Sequence, residues 1–349
     1  MNKALWGMMP RIALSMPLLA ACLFSGPAHA ADSLAKDPEV ADFIAAMVQR
    51  HGFSADTLTP LFAATTANAS VLRAIQPATS AERRSWQRYR ERFVNERRTR
   101  AGLAFWEENA ATIAKASAIY GVPPQILVAI IGVETEYGQN TGRFSVFQAL
   151  ATLAFRYPPR SAFFRDELEQ FLLLARENGQ PPESIKGSYA GAIGIPQFMP
   201  SSQRRYAVDF DGDGRVDLRR STADAIGSVA SFLAQHGWQT GAPVAHALPL
   251  EIRPPAELSQ TDLTLRQNAA ALRAAGLPAP GPDDARYALV DLVTPDGPTE
   301  YWLGEHNFWV ISRYNRSSFY AMAVFQLGER LAEERQALLA SGRQETTGR

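Results

Sequence analysis

The chain has 349 residues, of which 46% are hydrophobic and 20% charged, and its 35 basic residues balance 35 acidic ones. That mix supports packed, folded units and argues against disorder, a solenoid of repeats or a polyanion-binding surface. Cys22 is the only cysteine, so no disulfide can form within the chain.

The first thirty residues read as an export leader: Lys3 and Arg11 form a basic start, residues 12–24 are mostly apolar, and Ala28-His29-Ala30 is a small-residue cleavage site. The apolar part is shorter than the roughly 18 residues a membrane span needs, and no later stretch qualifies. Leu19-Ala20-Ala21-Cys22 also matches a bacterial lipoprotein signal, so a lipid anchor at Cys22 stands as the alternative to cleavage after Ala30. Without the leader, 33 basic residues face 35 acidic ones. The run 82–100 holds eight Arg against three Glu, but Glu and apolar residues interleave as on a solvated helix face, and no nucleic-acid partner is expected.

From Pro38 to about Ala118, apolar residues such as Val40, Phe43, Ile44 and Met47 recur at spacings of three and four, which predicts helices over 31–118. Gly121-Val122-Pro123-Pro124 punctuates the chain, and a very apolar helix is predicted to start at the prolines and run to Gly138. Helices over 146–155, 161–178 and 222–235 complete a core region, 119–240. Residues 241–304 change character: Pro-rich joints separate alternating segments near 247–252 and 287–293. Asp296-Gly297 is placed to turn the second of these back into Tyr301-Trp302-Leu303 as a hairpin, and one helix is expected over 262–274. Helix returns at 317–339, within a final region, 305–349. The fold class is therefore mainly α (α+β), with a small antiparallel β insertion.

Four constellations could carry chemistry. Glu134 is the first charge after the apolar run 126–133, and the nearest ionised residue before it is Lys115. Burial and the carbonyl end of the predicted helix both disfavour a negative charge there and raise the pKa, which makes Glu134 a candidate proton donor near neutral pH. Position alone fits equally well an end-of-helix residue that meets solvent or an arginine. Glu136, two residues on, points about 200° away around the helix and cannot pair with it.

The segment 187–202, GSYAGAIGIPQFMPSS, lets backbone approach a ligand closely, with Ser188 and Gln197 as polar groups, or else it is a tight loop on a core. Asp209, Asp211 and Asp213, followed by Gly214 and the Arg215 carbonyl, reproduce the first half of a calcium loop. Arg220 occupies the twelfth position, where a bidentate Glu belongs, and Asp224 at the sixteenth is the natural substitute; a solvated Asp-Gly turn is the plainer reading. The fourth set comprises Tyr301, Trp302, Asn307, Phe308, Trp309, Arg313, Tyr314, Asn315, Arg316 and Tyr320. Its aromatic faces suit sugar rings, while Phe308 and Trp309 suit a core equally. Neither His-Glu-x-x-His, a Cys cluster, a Walker loop nor a dinucleotide fingerprint is present, which argues against zinc, thiol and nucleotide chemistry.

Taken in order, several segments resemble the B-type family of bacterial lytic murein transglycosylases. They are Gly132-Val133-Glu134-Thr135-Glu136-Tyr137-Gly138, the 187–192 and 197–202 halves of the glycine-rich segment, Asp224-Ala225-Ile226-Gly227-Ser228, and Arg313-Tyr314-Asn315 with Tyr320-Ala321-Met322-Ala323-Val324. The resemblance implies a lysozyme-like helical core and a site for peptidoglycan glycan strands, with Glu134 as the single catalytic acid. It also implies that Ser188, Gln197, Tyr314, Asn315, Tyr320 and Tyr89 line that site. A structural Ca2+ would be held by Asp209, Asp211, Asp213, Asp224 and the backbone of Arg215, and no organic cofactor is implied. The implied protein is a periplasmic monomer, soluble or attached to the outer membrane, with cell-wall synthesis or division proteins as further partners. Phe232 departs from the family, standing where a Tyr can occur.

Overall fold

The computed structural model describes residues 33–76, 85–258, 262–295 and 297–347. The leader with Cys22, and Asp296 of the expected turn, lie outside them.

The described chain starts with α1 (Pro38–His51), whose N-terminus is capped by the Asp37 carboxylate accepting from the Glu39 amide, with Pro38 in the first turn. Gly52, in the left-handed conformation, ends it. Then come α2 (Ala55–Ala63), α3 (Ala69–Ala74), α4 (Trp86–Phe93), α5 (Glu96–Glu108), α6 (Ala110–Tyr120) and α7 (Pro124–Thr135). After α7 follow β1 (Phe144–Ser145), α8 (Val146–Arg156), α9 (Ser161–Glu177), β2 (Lys186–Gly187), α10 (Pro200–Tyr206) and α11 (Thr222–Gln235). The remainder comprises β3 (Ala245–Ala247), β4 (Gln267–Asn268), α12 (Ala269–Ala274), β5 (Arg286–Leu292), β6 (Glu300–Gly304), α13 (His306–Ile311) and α14 (Ser318–Thr347).

Three apolar cores organise these elements. In the first, α7 runs through the centre, with every residue from Ile126 to Val133 buried against α5, α11 and α14. A helix that is apolar all round belongs in such an interior. No single helix among the described residues is long and apolar enough to cross a membrane, and α6 and α7 are bent 114° against one another. The second core joins α1, α2 and α3 to α8 and α9, with Phe62 meeting Phe43, Phe147 and Phe155 edge to face at 5.1–6.1 Å. The third lies under the insertion.

That insertion is a four-stranded antiparallel sheet in the order β3-β6-β5-β4. Ala288, Val290 and Leu292 of β5 join the central core, whereas Tyr287 and Leu289 face the third core with Leu272 and Leu277, as the twofold alternation of a strand requires. The expected hairpin is present, with Val290 opposite Trp302.

Four expectations need correction. The alternating segment near 247–252 is strand only at Ala247, the last residue of β3. The helix expected over 317–339 runs on to Thr347. The helix expected over 262–274 is only Ala269–Ala274, because the Asn268 side chain caps it by accepting from the Ala271 amide and Gln267–Asn268 pairs with β5. The apolar helix stops at Thr135, short of Gly138: Glu136 and Tyr137 already take left-handed φ values of 53° and 62°.

Candidate active site

Glu134 occupies the last turn of α7, and its placement depends on how that helix ends. The Glu136 and Tyr137 amides donate back to the carbonyls of Gly132 and Ile131 at 3.1 and 3.3 Å. Left-handed backbone at two non-glycine residues costs on the order of 1–3 kcal/mol each, so tertiary contacts must hold the turn. The Tyr137 ring does so. Its hydroxyl donates to the Arg98 carbonyl at 3.0 Å, and the ring fills a notch where a Cβ on Gly132 or Gly102 would lie 2.6 or 2.3 Å from it. Glu136 is turned away into an ion pair with Arg97 at 2.5 Å. The Arg98 guanidinium, buried and donating to the Gly132 carbonyl, answers the negative end of the helix.

Glu134 is half-buried, between the buried residues Val133 and Thr135. Burial pushes its pKa up from 4.5 to about 7, and a hydrogen bond from Tyr320 moderates the rise. The Tyr320 hydroxyl donates to Glu134 Oε1 at 2.6 Å. Burial, together with the Glu134 charge, holds the Tyr320 phenol well above its ordinary value, so it stays protonated and remains the donor. With Oε1 occupied, a proton on Glu134 resides on Oε2. Among the described residues no second carboxyl group and no cation contributes to this shift.

The aromatic residues assemble beside the acid. Tyr314 stacks on Tyr320 with ring centres 6.3 Å apart, and its hydroxyl donates to the Pro196 carbonyl at 2.6 Å. Phe232 packs on Tyr314 at 4.8 Å. Tyr89, on α4, packs against Trp86, Phe93 and Phe319; burial, then the nearby Glu134 charge, raises its phenol to about 12. Asn315 is exposed at the start of the turn into α14. Asn307 and Phe308 are fully buried, and Asn307 is structural: its amide donates to the Gln239 and Ala242 carbonyls.

Ser188 and Gln197 have structural work of their own. Ser188 Oγ accepts from the Ala190 and Ala192 amides, and Gln197 Nε2 donates to the Thr141 and Gly194 carbonyls at 3.1 and 2.8 Å. Gln197 sits at φ 52°. Their remaining polar atoms, the Ser188 hydroxyl proton and Gln197 Oε1, are what a ligand could use. Thr135 and the 195–196 backbone also belong to the site: Thr135 Oγ1 donates to the Ile195 carbonyl at 2.8 Å and accepts from the Gly138 amide at 2.9 Å. Sequence offered little signal for either, since a threonine and two backbone carbonyls carry no chemistry of their own. A cavity of about 1110 Å³ lies between α4, β6 and α14, and Glu134 does not line it.

The acidic loop packs on the glycine-rich segment. Asp209, Asp211 and Asp213 bring carboxylate oxygens within 4.8 Å of one another, all exposed. Asp209 accepts from the Gly212, Asp213 and Gly214 amides, and Ser221 donates to Asp211 at 2.7 Å. That hydroxyl is the main cause holding the Asp211 carboxyl below the usual range. Asp224 stands behind this group, buried, with one oxygen accepting from the Phe210 amide and the other from the Asp217 amide, both at 2.8 Å. Three hard carboxylates around a glycine turn suit a divalent cation.

A central helix that ends in one carboxyl of raised pKa, with a tyrosine donor on one oxygen, defines a site built for proton transfer. The chain belongs to the transglycosylase SLT domain family, whose pattern matches residues 35–329. It is 41% identical over 315 residues to the membrane-bound lytic murein transglycosylase B of Escherichia coli K12, covering 85% of this chain and 84% of that one. Among solved structures it is similar to the soluble lytic transglycosylase SltB1 of Pseudomonas aeruginosa (46% identity, TM-score 0.80, 86% and 100% of the two chains). It is also similar to the E. coli lytic transglycosylase Slt35 in complex with calcium (40%, 0.76, 85% and 94%). P. aeruginosa SltB3 in complex with NAG-anhNAM-pentapeptide matches at 31% identity and TM-score 0.71, over 84% and 79% of the chains.

Proposed function

We propose that the protein is a lytic transglycosylase that cleaves the β-1,4 bond between N-acetylmuramic acid and N-acetylglucosamine in peptidoglycan without consuming water. The observation that carries this reading is the solitary Glu134, with its pKa raised to about 7 and no companion carboxyl acting on it among the described residues. Most glycoside hydrolases use a pair of carboxyl groups, one to protonate the leaving oxygen and one to attack or to activate water. A single group suffices if the substrate brings its own nucleophile.

In the first step Glu134 donates the proton on Oε2 to the glycosidic oxygen as the bond to C1 breaks. The carboxylate then takes the proton of the muramoyl C6 hydroxyl, whose oxygen bonds to C1 and closes a 1,6-anhydro ring. Glu134 ends protonated, as it began. A pKa near neutrality suits a group that must give and then take a proton. The C6 hydroxyl is tethered to the reacting ring, so only one molecule has to be held in a productive conformation. Tyr320 holds Oε1 and steadies the carboxylate between the steps. Tyr89, Ser188, Gln197, Tyr314 and Asn315 are assigned to the glycan, and the anhydro-sugar ligand of SltB3 supports a product of this kind.

Calcium is assigned to Asp209, Asp211 and Asp213, with the Arg215 carbonyl and the lone pairs left on Asp224 completing an all-oxygen set; Slt35 in complex with calcium supports the choice. The ion would fix the loop and take no part in proton transfer. The leader read over residues 1–30 assigns the protein to the periplasm. An acyl group on Cys22 would tie it to the outer membrane, and the mass of the mature N-terminus separates that outcome from cleavage after Ala30.

The test is digestion of purified sacculi by the wild type and by Glu134→Gln. The wild type should release muropeptides with anhydro ends, and the variant should bind sacculi without digesting them. Ordinary reducing muramic ends would make the protein a hydrolytic muramidase. Binding without turnover by the wild type would make it a calcium-dependent glycan-binding protein.

A further inference from the structure

We propose that Thr135 is a positioning residue that joins the acidic loop to Glu134 through the Ile195–Pro196 backbone, so that the shape of the loop sets the aim of the acid. This rests on Glu134 being the acid and adds the link that places it.

Each contact in the link is direct. The Ile195 amide donates to the Leu218 carbonyl, at the far end of the acidic loop, at 2.8 Å. The approach is close: a Cβ on Gly194, which sits at φ 76°, would lie 2.3 Å from that same carbonyl oxygen. The Ile195 carbonyl accepts from Thr135 Oγ1 at 2.8 Å. Thr135 is 1% exposed and follows Glu134 directly. Its hydroxyl oxygen accepts from the Gly138 amide and its carbonyl from the Asn140 amide, both at 2.9 Å, so it also fixes the left-handed turn that ends α7. The next residue, Pro196, accepts from Tyr314, which stacks on Tyr320, which in turn holds Glu134 Oε1. The dipeptide 195–196 therefore anchors the acid twice, once through its backbone and once through its carboxyl. A shift of Leu218 is transmitted to both anchors.

The loop is shaped from within by Asp209, whose carboxylate collects the Gly212, Asp213 and Gly214 amides, and is clamped from behind by Asp224. Such a link needs a hydroxyl at residue 135 that can donate and accept at once. Serine can do both; valine, of the same shape as threonine, can do neither.

The test uses Thr135→Val, Thr135→Ser and Asp209→Asn in the full chain with calcium present. Thr135→Val should lower kcat about tenfold to a hundredfold at near-constant KM, as expected when an acid is misplaced by a fraction of an ångström, and Thr135→Ser should restore most of it. In a double-mutant cycle, Asp209→Asn should cost less in the Thr135→Val background than alone. A second readout needs no substrate. Asp209→Asn should speed hydrogen exchange at the Glu136 and Tyr137 amides, which close α7, and Thr135→Val should abolish that response while Thr135→Ser keeps it. Wild-type kcat in Thr135→Val, multiplicative effects in the cycle, or an exchange response that survives Thr135→Val would each overturn the link. Failure of the acid assignment appears separately, as full activity in Glu134→Gln.

Discussion

The molecule uses the same functional group in two opposite ways some residues apart along one chain. At Glu134 a single carboxyl lies at the end of an apolar helix, and burial drives its pKa up to about 7. At Asp209, Asp211 and Asp213 three carboxyls crowd together at the surface, where the Ser221 hydroxyl, with the Asp213 amide, holds Asp211 below its usual range. In the proposed reading the first carries a proton and the second attracts a cation. Environment, not residue type, divides the roles.

The largest expected effect tests the dry member of the pair. Glu134→Gln keeps the shape and removes the proton, and kcat should fall about a thousandfold, equivalent to ~4 kcal/mol of transition-state stabilisation. Stability should change in the opposite sense. The folded chain binds the Glu134 proton more tightly than the unfolded chain, so this group's contribution is full below pH 4.5 and is lost as pH rises through about 7. Denaturant titrations should show the wild type losing up to ~3 kcal/mol relative to Glu134→Gln across that window. A wild type and variant with parallel pH curves would remove the burial argument.

Next comes Tyr320→Phe, which deletes the donor to Oε1. The Tyr320 hydrogen bond lowers the acid's pKa, so its loss should raise it further, moving the alkaline limb of the pH–rate profile upward. Turnover should drop about tenfold to a hundredfold, as for a hydrogen bond to a charged group. An unmoved limb would show that the tyrosine merely fills space.

The wet member should show itself in stability before activity. Calcium at about a hundred times its dissociation constant should stabilise the fold by ~2.7 kcal/mol, read from melting curves with and without chelator. Asp213→Asn should erase most of that increment, and equal calcium responses in variant and wild type would displace the site. The smallest effect belongs to the neighbour that might have been taken for a second acid. Arg97→Ala breaks an ion pair whose arginine is 74% exposed. Thermal unfolding should change by less than ~1 kcal/mol, with kcat close to wild type.

Much of this was legible in the chain because prolines, glycines and apolar spacing act locally. Pro123 and Pro124 mark a helix start wherever they fall, and the apolar run before Glu134 could hardly lie anywhere but inside. What escaped depends on contacts remote in sequence. Glu136 and Tyr137 carry no signal for left-handed backbone; the turn exists because Gly102, thirty-five residues earlier in the numbering, leaves room for the Tyr137 hydroxyl. Asn268 delays the start of the expected 262–274 helix because it caps α12 and pairs with β5, a choice made by the sheet. Ser188 and Gln197 were visible as polar groups, but their commitment to the local backbone was not.

The central claim is that one carboxyl serves as acid and then as base while water stays out of the reaction. Digestion of sacculi in water enriched in oxygen-18, followed by mass spectrometry of the new muramic ends, tests this most directly. The account predicts anhydro ends that carry no label. Labelled reducing ends, heavier by one water, would contradict it.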